Sequence, residues 1–107
     1  MKLNALKINA TTGVITNEVV EDYTDINRLI GCRCFTTVRL SDTEWLYVDD
    51  EGLINGTKTA FSINYGDGYL MGNGVVLGLL PNGESISTKL DANDLRDKYG
   101  IKVAVNA

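Results

Sequence analysis

The chain has no histidine among its 107 residues, only two cysteines, Cys32 and Cys34, and a single proline, Pro81. Without imidazole there is no Ser-His or Cys-His pair, no side chain that titrates near neutrality unperturbed, and no ordinary zinc or haem site. No activated nucleophile or base is visible in what remains, so the reading is of a non-enzymatic protein with no cofactor and no bound metal. A long hydrophobic run is missing too. The longest nearly apolar stretch, from Gly74 to Leu80, falls far short of the roughly 20 residues needed to cross a bilayer. Met1 to Lys7 lacks the apolar core of a secretion signal, and a cytoplasmic protein is expected.

In that compartment thiols stay reduced, and residues two apart on a strand are poorly placed to bridge each other. Cys32 and Cys34 would point to the same face, which predicts two buried small hydrophobes rather than ligands lacking partners. A hydrophobic content of 44% spread along the whole length predicts one domain, 1–107, with no linker.

Fourteen acids against ten bases give a net charge of −4, and the bases are scattered. Nucleic-acid binding through phosphate neutralisation is therefore disfavoured. The acids are less even. Between Arg39 and Lys58 lie Asp42, Glu44, Asp49, Asp50 and Glu51 with no base among them. With Trp45 and Tyr47 in the same stretch, this is a candidate protein-binding surface for a basic partner, although such a run also suits the solvated rim of a hairpin.

The patterning predicts an α+β fold, mostly antiparallel β-sheet with two short helices. Leu3 to Ile8 and Val14 to Val20 read as a hairpin across the turn residues Asn9 to Gly13. Asp22 or Thr24 can cap a two-turn helix over 24–30 in which Ile26, Leu29 and Ile30 recur at helical spacing, with Gly31 at its C-terminal stop. Cys32 to Leu40 alternates as a strand, and Glu44 to Val48 is its hairpin partner. Residues 53–63 are ambiguous between a short strand and irregular backbone. Tyr65 to Gly74 reads as irregular, and Val75-Val76-Leu77 as a strand covered on both faces. Pro81-Asn82-Gly83 then turns the chain into a strand at Glu84 to Lys89. A helix over 91–99, capped by Asp91 and closed by Gly100, precedes a last strand within Ile101 to Val105.

These motifs in this order, Asp25-Ile26-Asn27-Arg28-Leu29-Ile30-Gly31, Asp50-Glu51-Gly52-Leu53 and Gly74-Val75-Val76-Leu77-Gly78, resemble a small uncharacterised domain-of-unknown-function family carried by bacteriophages and mobile elements of Gram-positive bacteria. The likeness covers roughly residues 1–90 and departs at Asn55 to Asn64 and at the C-terminal helix. It implies an accessory gene product in the host bacterial cell, and no activity.

Two functions follow as expectations. One is a phage-type protein that binds and inhibits a host defence or takeover protein through the acidic hairpin and its aromatics. The other is a homo-oligomeric binder of a nucleotide-type signal, with Arg33, Arg39 or Lys58 on phosphate and Tyr65, Gly66, Gly68 and Tyr69 forming the ligand loop.

Overall fold

The computed structural model describes residues 2–51, 59–63 and 68–104. The period-two runs form the expected α+β fold, and every strand pair among the described residues is antiparallel. Strands β1 (Leu3–Ile8) and β2 (Ile15–Val20) make the opening hairpin, with Leu3 opposite Val20 and Ile8 opposite Ile15. Its turn is held by the Asn9 side-chain oxygen, which accepts from the Thr11 and Thr12 N–H groups, and by Gly13 at φ 79°.

Helix α1 (Tyr23–Ile30) follows, then the hairpin of β3 (Phe35–Arg39) and β4 (Glu44–Asp49). Next come β5 (Ala60–Ile63), β6 (Gly68–Met71), β7 (Gly74–Leu79) and the two-residue β8 (Ser85–Ile86). Helix α2 (Ala92–Asp97) and β9 (Lys102–Ala104) complete the chain. The larger sheet runs β2-β1-β7-β4-β3 with β8 also on β7, and the smaller runs β6-β5-β9.

Alternation along the central strands feeds two apolar layers. Ala5, Tyr47, Val75 and Leu77 face Ile26, Leu29 and Ile30 of α1, while Leu6, Ile8, Leu46, Val48 and Val76 face Phe61, Leu95 and Ile101. The larger sheet is thus covered by a helix on one side and by the smaller sheet with α2 on the other. Each fully buried Leu, Ile, Val or Phe side chain contributes about 1.5–3 kcal/mol. Contact between the sheets is close because β7 begins with glycine. A Cβ at Gly74 would stand 2.8 Å from Phe61 Cζ and 3.0 Å from Leu46 Cδ1.

Several expectations are corrected. The strand expected from Cys32 begins only at Phe35, because residues 31–34 leave α1 through a left-handed Gly31 and bend toward the sheet edge. The cysteines are accordingly not a buried pair: Cys32 is half-buried and Cys34 exposed. Within the glycine-rich stretch, Gly68–Met71 is regular strand, paired with β5. The strand expected over 84–89 shrinks to Ser85–Ile86, and α2 ends at Asp97 rather than Tyr99. Of the ambiguous 53–63 segment, Ala60–Ile63 is strand.

Candidate functional site

Register places two ends on the larger sheet. Ile8, Ile15, Gly74, Phe35 and Asp49 mark the upper end, and Leu3, Val20, Glu44 and Leu79 the lower. At the lower end β1 separates from β7, and residues 85–88 fill the gap. Ile86 pairs with Gly78, the Thr88 N–H donates to the Asn4 carbonyl at 2.9 Å, and the Asn4 N–H donates to Ser87 Oγ at 2.9 Å. Glycine is required at 78, since a Cβ there would meet Ile86 Cγ1 at 2.6 Å. Glu44 anchors the same segment from the other side. Its carboxylate, 3% exposed, accepts from the Thr88 hydroxyl at 2.5 Å and from the Lys89 N–H at 3.2 Å.

The result is an open groove of about 330 Å³ between this segment and the start of α1. Leu3, Val20, Ile26 and Leu77 give it an apolar floor, and Glu21, Asp22, Tyr23, Glu84 and Ser85 form its rim. Tyr23, 57% exposed, stands 5.7 Å from the Phe35 ring, and Phe35 meets Tyr47 edge-on at 5.1 Å. Burial pushes the Tyr47 hydroxyl's pKa up, and a hydrogen bond with Ser85 partly offsets this. Asp22 caps α1, accepting from the Thr24 N–H at 2.9 Å and the Asp25 N–H at 3.2 Å, while Asp25 accepts in return from the Glu21 N–H at 2.8 Å. The Thr24 hydroxyl holds Asp22 below the usual carboxylate range, and the Glu21 backbone N–H does the same for Asp25.

The residues expected to bind a protein are dispersed. Glu44 is buried in the anchor just described and Tyr47 lies in the core at 4% exposure, so neither presents a surface. Trp45 is half-buried, opposite Leu77 in the β4–β7 register and therefore beside the groove floor. Asp42 lies at the lower end, ion-paired with Arg39. Asp49, Asp50 and Glu51 lie at the upper end, where Glu51 faces Arg33 at 3.6 Å.

Of the residues expected to bind a nucleotide, the two described bases are not brought together. Arg33 and Arg39 flank opposite ends of β3, each paired with a carboxylate. Gly68 and the exposed Tyr69 belong to β6, and Lys58, Tyr65 and Gly66 lie outside the described residues. No group of three or more His, Cys, Asp or Glu side chains suited to a metal occurs among the described residues.

A family model for a domain of unknown function, DUF3846, matches residues 1–100. The chain belongs to that family. No curated protein and no solved structure matches it. The DUF3846 match runs from β1 through α2, so all the residues of the groove lie inside it and β9 lies beyond it.

The groove is what sequence reasoning missed. Glu21 and Asp22 come from the β2–α1 connection and Glu84 from the β7–β8 connection, far apart along the chain, so they form no run of charge; the one signal pointing there was Asp22 as a helix cap.

Proposed function

We propose that this DUF3846 protein is a non-enzymatic accessory protein of a bacteriophage or mobile element that acts in the host cytoplasm, binding a basic surface of a host protein and inhibiting it. The observation that carries this reading is the convergence of Glu21, Asp22, Asp42 and Glu84 at the lower end of the larger sheet. They come from the β2–α1, β3–β4 and β7–β8 connections; Glu21, Asp22 and Glu84 rim an apolar groove beside the half-buried Trp45, and Asp42 lies at the same end outside it. Carboxylates gathered around apolar and aromatic surface supply both steering and a desolvated contact. Arg39, now on Asp42, is exposed and can be exchanged for a base of the partner.

The test is association with the protein that the immobilised chain retains from host lysate. Replacing Glu21 and Glu84 by Gln and Asp22 and Asp42 by Asn should slow association at low salt about tenfold or more and flatten its salt dependence, with the fold intact. An unchanged on-rate at low salt would remove the acidic end from the mechanism. A nucleotide thermal-shift panel run alongside is expected to show no stabilisation; a saturable shift that depends on Arg33 or Arg39 favours the signal-binding alternative.

A further inference from the structure

The groove combines two chemistries that suit different parts of one ligand. Leu3, Val20, Ile26 and Leu77 offer water no hydrogen bonds, whereas Glu21 and Glu84 on the rim are exposed carboxylates that make no ion pair among the described residues. An alkyl group alone would leave the rim's field unused, and a compact inorganic cation would leave the floor wet. A long side chain with an apolar stem and a cationic head satisfies both. At about 330 Å³ the groove is at the small end of pockets that take a whole drug-sized molecule, roughly 300–1,000 Å³, and ample for one such side chain. Asp22 adds negative charge, but its carboxylate already serves the cap of α1, which leaves Glu21 and Glu84 as the groups available to an incoming head.

We propose that the groove seats a lysine or arginine side chain of the partner protein, its stem on the Leu3–Val20–Ile26–Leu77 floor and its head held by Glu21 and Glu84. This rests on the reading of the chain as a binder of a basic surface, and it names the contact that would give that surface its specificity.

The test uses hexylammonium as the side-chain probe, hexanoate as its anionic counterpart, and the peptide Gly-Leu-Lys-Leu-Gly, all in NMR titrations of the full chain. Hexylammonium is expected to shift the amides of Leu3, Val20, Ile26 and Leu77 saturably, and hexanoate is not. The E21Q/E84Q variant should weaken the probe at least tenfold at low salt, whereas D50N, at the opposite end of the larger sheet, should hold affinity within about twofold. The peptide should bind more tightly than hexylammonium. Equal response to hexanoate, no response to hexylammonium, or a peptide weaker than the free amine each overturns the inference, the last by making the occupant a free small amine. The function proposed above fails separately, through the low-salt on-rate of the four-carboxylate variant.

Discussion

A carboxylate that is almost wholly buried persists at Glu44 because both its oxygens accept hydrogen bonds, one from the Thr88 hydroxyl and one from the Lys89 N–H. Glu44→Ala would strand both donors and should cost about 1–3 kcal/mol, read as a lower urea midpoint; Glu44→Gln, which keeps one acceptor oxygen, should cost less. Indifference to both substitutions would mean that the segment is held by something else. The cysteines separate by environment in the same way. Burial, followed by the charges of Asp49, Cys34 and Glu51, pushes the Cys32 thiol up to about 11, and its Sγ donates to Asn27 Oδ1 at 3.7 Å. Only the thiolate is nucleophilic, so at pH 8 iodoacetamide should modify the exposed Cys34 well before Cys32. Mass spectrometry of partly alkylated protein checks this, and equal rates at the two sites would contradict it.

Among the elements, α1 shows most plainly how local chemistry is written in sequence. Asp22 and Asp25 form a reciprocal capping box, Ile26, Leu29 and Ile30 make the buried stripe, and Gly31 takes φ 82° at the stop. Because both carboxylates titrate below their ordinary value of 3.8, their contribution is complete above about pH 4 and is lost as pH falls through the lowered native values. Helical NMR shifts of Tyr23–Ile30 should therefore persist down to about pH 4 and decay at the first turn below it; decay centred near neutrality would contradict this. Asp22→Ala should fray that turn at every pH, and Asp22→Asn should not. The N-terminal caps of both helices, the Gly31 stop of α1 and the opening hairpin were legible in the sequence because turns and caps depend on neighbours in the chain. The start of β3 was not. Period-two alternation continues through Cys32 and Cys34, and only the need to cross from the α1 layer to the sheet edge spends those residues on a bend.

For the whole molecule, the organising contact is Phe61 lying across Gly74, where the smaller sheet meets the larger. Phe61→Ala should cost about 3–5 kcal/mol and should open both layers in one cooperative transition by calorimetry. Two separate transitions would show that the sheets stand independently. The antiparallel class and the doubly covered β7 could be read from alternation and from the Val75–Leu77 run. The groove could not, because strand order sets which connections share an end. Nothing in the spacing of Glu21, Asp42 and Glu84 along the chain announces that β2, β4 and β7 bring them to the same end.

The wall of that groove is also the shortest strand among the described residues, two residues paired to Gly78 and Leu79. So slight a ladder opens at small free-energy cost, and hydrogen exchange at its amides reports that opening. Binding and local opening are then linked reciprocally. A ligand that requires the closed wall should slow exchange at Ile86 by a factor of one plus the ratio of free ligand concentration to Kd, and a substitution that loosens β8 should weaken the ligand by as much as it lowers the closed fraction.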